Sequence, residues 1–156
     1  MHLNHELPQN IASLAKESEK ALIAKLHSVP LFSGLKEKQL KSILAGAKQR
    51  AYPEGEVIVA EGEAGVAFYL ILDGAVEVKK KGKVLAKLGS GNFFGEMSLL
   101  DRNPRSSDVV ASKPTTVLAL SSWEFQGLLE SNNEIAMSLL KTLTHRLRES
   151  GQSLSD

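Results

Sequence analysis

Between Arg50 and Leu120 the chain divides into short β-rich runs joined by glycine-containing turns, with no helical segment separating most of them. Residues 57–60, 66–72, 75–79, 84–88, 108–111 and 116–120 carry the branched and aromatic side chains that suit a pleated, half-buried surface. The turns fall at residues 61–65, at Asp73-Gly74 and at residues 89–91. Asp-Gly is among the stronger short signals for a hairpin. Lys79-Lys80-Lys81-Gly82-Lys83 lies where two strands meet, and reads as a solvated hairpin tip rather than a binding patch. Several short strands without intervening helices predict an antiparallel, jelly-roll-like β-roll. The expected fold class is mainly β with flanking helices.

Helical patterns flank the roll. Asn10 can cap a helix whose Ile11, Leu14, Ala15, Leu22 and Leu26 recur at helical spacing. Pro30 ends it, and Leu31-Phe32-Ser33-Gly34 opens a second helical stretch with Leu35, Leu40, Ile43 and Leu44 as its apolar residues. After the roll, residues 122–130 and 133–149 read as helices, capped by Ser121 or Ser122 and by Asn132 or Asn133. The last has Ile135, Leu139, Leu143 and Leu147 every fourth residue, with Ala136 and Leu140 beside them. That apolar face has to pack on the roll, on a second copy, or on both. The tail 150–156 is polar and expected to fray. A single domain over residues 1–156 is expected: N-terminal helices 1–48, roll 49–120, C-terminal helices and tail 121–156.

At 156 residues such a domain can bury about 68–70% of its unfolded surface. There is no cysteine, which excludes disulfides, thiolate metal sites and a cysteine nucleophile. With 19 basic and 18 acidic residues the net charge is +1, so electrostatics argue for neither direct DNA binding nor membrane binding. The longest apolar run, residues 66–72, is far short of the ~20 residues that span a bilayer. No signal-peptide core follows Met1, and a soluble, cytoplasmic protein is expected. The histidines, His2, His5, His27 and His145, all lie outside the predicted roll, leaving a barrel-type metal site without ligands. No Gly-Lys-Ser/Thr phosphate loop is present. The reading is a binding module, not an enzyme, with no metal and no cofactor.

One stretch interrupts the roll. Asn92-Phe93-Phe94-Gly95-Glu96-Met97-Ser98-Leu99-Leu100 is followed after a polar gap by Pro104-Arg105-Ser106-Ser107. Phe93 and Phe94 are apolar anchors, Gly95 lets a ligand approach the backbone, and Glu96 to Leu100 can form a short helical turn. The first amides of a helix lack partners within it and suit an anion. Arg105 supplies a planar fork of donors for two oxygens of one phosphate. Glu96 needs a donor such as a sugar hydroxyl, because a carboxylate beside a phosphate repels it. The stretch therefore fits a nucleotide with phosphate and ribose close together, and a mere surface ion pair of Glu96 with Arg105 is the competing reading.

This two-part motif resembles the phosphate-binding cassette of the cyclic-nucleotide-binding domain family, of the catabolite activator protein, protein kinase A regulatory subunit and bacterial cyclic-nucleotide-gated channel type. The resemblance runs from about Leu26 to Arg148, with the cassette at 93–107, and looks closest to the bacterial channel-type domains. It implies phosphate contacts by Arg105, Ser106, Ser107, Met97 and Ser98, ribose contacts by Gly95 and Glu96, and base contacts by Val78, Ala86, Leu88, Phe94 and Arg146. Strand core is an equal reading for Val78, Ala86 and Leu88, core is the preferred one for Phe93, Phe94, Phe68, Tyr69 and Trp123, and a solvated cation is the preferred one for Arg146. In the family a hydroxyl after the arginine, commonly threonine, goes with cyclic GMP; Ser106 sits there, and cyclic AMP is favoured with cyclic GMP as the alternative ligand. Ser98, Ser107 and Asp108 depart from the family's usual residues, and Asp108 would weaken phosphate binding if it faced inward. The resemblance further implies a signal carried by movement of the C-terminal helix to an effector protein or fused output domain, with a homodimer through that helix as another use of its stripe. The alternative is a degenerate domain that serves protein interaction or dimerisation without nucleotide.

Overall fold

A computed structural model of the protein describes residues 19–149. Asn10, the early residues Ile11, Leu14 and Ala15 of the first predicted helix, and the tail from Ser150 lie outside the described residues.

The described chain opens with a helix over 19–27 (α1), a 3-10 turn at Pro30–Phe32 and α2 (Glu37–Gly46). Eight strands follow: β1 (Lys48–Tyr52), β2 (Val57–Val59), β3 (Ala67–Asp73), β4 (Ala75–Lys80), β5 (Lys83–Gly89), β6 (Phe93–Phe94), β7 (Asp108–Ala111) and β8 (Thr115–Ser121). Between β6 and β7 sits α3 (Glu96–Asp101), and α4 (Ser122–Ser131) and α5 (Asn133–Glu149) close the described chain. The strands form two four-stranded sheets, ordered β1-β8-β3-β6 and β2-β7-β4-β5, with every pairing antiparallel. This is the expected antiparallel roll with flanking helices.

The apolar run of β3 shows how the layers stack. Successive side chains of a strand point to opposite faces. Phe68, Leu70 and Leu72 join Leu26, Phe32, Leu40, Phe125, Ile135 and Leu139 in a core between the first sheet and the helices. Tyr69 and Ile71 join Val59, Val76, Phe94, Val109 and Val117 in a second core inside the roll. Both faces of β3 are covered, so its sequence is apolar without alternation.

Several expectations are corrected. Two strands escaped the sequence pattern: β1, a polar and largely exposed edge strand, and β6, only two residues long. Asp73-Gly74 does not close a hairpin, because β3 and β4 belong to different sheets and Gly74 turns the corner between them. The close hairpin is β4–β5, where Lys81 and Gly82 both have positive φ (51° and 80°) and Lys80 faces Lys83. Paired positive φ values fit the twist of antiparallel strands. Trp123, expected in the core, is 78% exposed. Ser121 is the cap of α4, its hydroxyl accepting from Glu124 N at 3.4 Å. Asn132 donates from Nδ2 to Leu128 O at the end of α4 and accepts from Gln39 of α2. On α5, Ile135 and Leu139 are buried while Leu140 and Leu147 are exposed, so the stripe is covered mainly in its first half.

Candidate functional site

The cassette is assembled by a change of backbone direction at Gly95. Its φ of 91° and ψ of −1° are left-handed, a conformation that glycine adopts without steric cost. A Cβ there would lie 2.9 Å from Arg105 Nη1 and 3.0 Å from Ala67 O. The missing side chain thus makes room for the arginine, a packing requirement beyond ligand access. The turn starts α3, which buries Glu96 and Ser98 and leaves Met97 exposed.

Arg105 comes in from the far side of the polar gap and is only 6% exposed. Its Nη1 donates to Gly95 O and its Nη2 to Ala67 O, both at 2.7 Å. The two carbonyls fix the guanidinium plane against the start of α3 and leave its remaining N–H groups for other acceptors. Burial pulls the guanidinium pKa down from its usual value, while Tyr69, Glu96 and Glu63 push it back up.

The loop at residues 61–65 clamps the same arginine, a partnership the sequence pattern does not reveal. Gly62 N donates to Arg105 O and Arg105 N donates to Glu63 O, each at 2.8 Å. Gly65 packs so tightly that a Cβ would lie 2.5 Å from Ser98 Cβ. Asp108 joins this clamp, its Oδ1 accepting from Glu61 N at 2.7 Å.

Glu96 is 3% exposed, and its ion pair is made not with Arg105 but with Arg146 of α5, Nη1 to Oε2 at 3.4 Å. Burial raises the carboxyl pKa above its usual value; Arg146, the Glu96 backbone amide and Arg105 oppose that rise. Arg146 also donates from Nη2 to Phe93 O at 2.6 Å and lies 4.4 Å over the Phe93 ring. A solvated Arg146 and a surface Glu96–Arg105 pair are both at odds with this geometry.

The remaining predicted site residues are spread around this centre. Ser106 is exposed and Ser107 half-buried on the approach to β7. Val78 and Leu88 are half-buried against the inner core, and exposed Ala86 pairs with Val78 across β4 and β5. Phe94 is 3% exposed and stacks on Tyr69 with ring centroids 5.0 Å apart, which places its ring in the core rather than on an open face. Phe68 and Phe93 are buried as well, as expected. A cavity of about 460 Å³ lies between α2 and α4, lined by Gln39, Ile43, Gly127 and Asn132 among others, and does not touch the cassette. Among the described residues no cluster of His, Asp and Glu could hold a metal ion, and no helix is long and apolar enough to cross a membrane.

The arrangement sets a buried cation, Arg105, beside a buried carboxylate, Glu96, on one short cassette. The family described as Cyclic nucleotide-binding domain matches residues 49–132. The Cyclic AMP receptor protein of Thermus thermophilus is 37% identical over 130 residues, covering 80% of this chain and 60% of that protein. A Cyclic nucleotide-gated potassium channel of Rhizobium etli is 39% identical over 119 residues, covering 76% of this chain and 33% of the channel. The solved structure of cAMP bound PfPKA-R (141-441) superposes with a TM-score of 0.74 at 26% identity, covering 90% of this chain and 50% of that one. The chain therefore spans 60% or less of the length of these relatives.

Proposed function

The chain belongs to the cyclic nucleotide-binding domain family, and we propose that it is a non-catalytic sensor that binds cyclic AMP in preference to cyclic GMP and passes the binding event to α5. The observation that carries this reading is the pairing of two buried, oppositely charged side chains on one short cassette: Arg105 aimed by the Gly95 and Ala67 carbonyls, and Glu96 in the first turn of α3. The phosphate sits against Arg105, the backbone at Met97 and Ser98, and the hydroxyls of Ser106 and Ser107. The ribose hydroxyl donates to Glu96 beside Gly95, and the base lies along Val78, Ala86 and Leu88. Serine rather than threonine at position 106 favours cyclic AMP. Asp108, which would repel a phosphate if it were free, is held by Glu61 N.

Arg146 is the group of α5 through which the ligand is felt, since it bonds both Glu96 and the strand before it. Residues 1–156 act as one sensor domain, and the output is an effector protein or a fused domain. This is in keeping with relatives that include a receptor protein and a channel, each longer than the segment matched here.

Calorimetric titration with cyclic AMP, cyclic GMP and 5′-AMP tests the reading. Saturable binding is expected for cyclic AMP, weaker binding for cyclic GMP and much weaker binding for 5′-AMP. No heat and no thermal stabilisation with either cyclic nucleotide at millimolar concentration would instead favour an interaction domain that has lost its ligand.

A further inference from the structure

α4 carries two features that the nucleotide reading leaves unused, and they lie one helical turn apart. Trp123, the one tryptophan of the chain, is 78% exposed. Four residues on, and so on the same face of the helix, Gly127 borders the open groove of about 460 Å³ between α2 and α4. A glycine inside a helix weakens it relative to alanine. Packing within the chain does not call for one here, since a Cβ at Gly127 would meet nothing within 4 Å. The missing side chain instead keeps the wall of the groove low. Ile43, Leu120 and Leu128 give the groove an apolar floor, and Ser42, Glu124 and Ser131 set acceptors along its sides. That lining suits an indole, whose ring is apolar and whose N–H needs a partner when buried. Size permits it, because a cavity of about 150 Å³ already holds benzene. Trp123 itself lies outside the groove of its own chain.

We propose that the groove between α2 and α4 receives Trp123 of a second copy of this chain, in a two-fold dimer whose α4 helices cross near Gly127. Knob and hole sit on one helix, so a single two-fold rotation seats both tryptophans at once, as an isologous interface requires. Trp123 of the partner subunit, four residues before the crossing, then falls against the groove wall four residues after it, at Ser131. Charge favours the same pairing. α4 carries Glu124 and Glu130 and no basic residue, whereas α2 carries Lys38 and Lys41 against Glu37 alone. A copy that lays α4 over the groove therefore sets acidic side chains against basic ones, in both directions. The groove does not touch the cassette, so this interface is independent of the nucleotide reading. It is also distinct from a dimer through the apolar stripe of α5.

Sedimentation equilibrium of the full chain from micromolar to millimolar concentration, paired with tryptophan fluorescence, tests the proposal. Wild type should pass from monomer to dimer with concentration. The emission of its one tryptophan should shift to the blue over the same range, as the indole leaves water. Trp123→Ala should weaken association by about thirtyfold or more, the effect of truncating an anchor at the centre of an interface. Gly127→Ala separates the two roles a glycine could have here: it should raise the unfolding temperature of the monomer and also weaken the dimer, whereas a glycine with no part in association would do only the first. Gly127→Leu, which fills the groove, should leave the chain monomeric, and decides the matter should Trp123→Ala not fold. Wild type that stays monomeric to millimolar concentration overturns the proposal. So does a dimer whose emission is unchanged, or one that Trp123→Ala forms as tightly, since either would place the contact elsewhere. Blue emission independent of concentration would mean that the indole is covered within its own chain, and overturns it equally.

Discussion

Arg105 has two jobs that its substitution would separate. It holds the Gly95 and Ala67 carbonyls in place, and it is the proposed phosphate partner. Arg105→Ala should lower cyclic AMP affinity by about 3–5 kcal/mol, because the variant leaves a partly buried phosphate unpaired. It should also cost about 1–3 kcal/mol of folding stability without ligand, through the two stranded carbonyls. Calorimetry reads the first and a urea melt the second. Glu96 makes a prediction in pH. Its pKa is raised from 4.5, chiefly by burial, so the fold prefers the protonated carboxyl. That contribution is complete below 4.5 and is lost as pH rises through the folded-state pKa. Relative to Glu96→Gln, wild type should therefore lose stability as pH rises from 4.5 upward, in urea melts taken across that range. At this scale Gly95, Glu96 and Arg105 were legible because their spacing is local. The partners of Arg146 were not, because Glu96 lies 50 residues away and no periodicity records it. The clamp of residues 61–65 on Arg105 was hidden for the same reason.

Strands were readable where burial imposes a composition and unreadable where it does not. β3 is apolar because it lies between two cores, and β7 carries apolar residues that bury alternately. β1 is exposed at a sheet edge, so nothing in Lys48-Gln49-Arg50-Ala51-Tyr52 had to be apolar. β6 is too short for any pattern. Asp73-Gly74 carried a correct turn signal and a wrong partner, since a local motif fixes a bend and not which sheet the chain enters next. The corner is tight: Gly74 has φ 111°, and a Cβ there would lie 2.5 Å from Thr115 Oγ1 and 2.6 Å from Pro114 O. Thr115 is itself tied to Ala75, donating to its carbonyl at 3.0 Å. Gly74→Ala should accordingly cost about 1–3 kcal/mol from backbone strain, with the steric overlap adding to it, in equilibrium denaturation.

The molecule as a whole is two cores that share one sheet. β3 and β8 contribute to the helical core through Phe68, Leu70, Leu118 and Leu120, and to the core of the roll through Tyr69, Ile71, Val117 and Ala119. Helices and roll should therefore unfold together. Phe125 of α4 is 1% exposed and stacks on Phe68 at 4.4 Å. Phe125→Ala should cost about 3–5 kcal/mol and lower a single transition, not split it in two, when thermal unfolding is followed by circular dichroism and by aromatic proton resonances. The same sharing places α5 against the helical core at its start and against the cassette through Arg146 near its end. The roll and its flanking helices were visible in the sequence; the contact of Arg146 with Glu96 was not, because it joins the last helix to the middle of the chain. The most direct test of the central claim is an amide and guanidinium NMR titration of the 15N-labelled protein with cyclic AMP. Saturable shifts are predicted at Gly95, Glu96, Met97 and Ser98, at the Arg105 side chain and along the last turns of α5. Binding that saturates while these resonances stay in place would put the ligand elsewhere and contradict the cassette as its site.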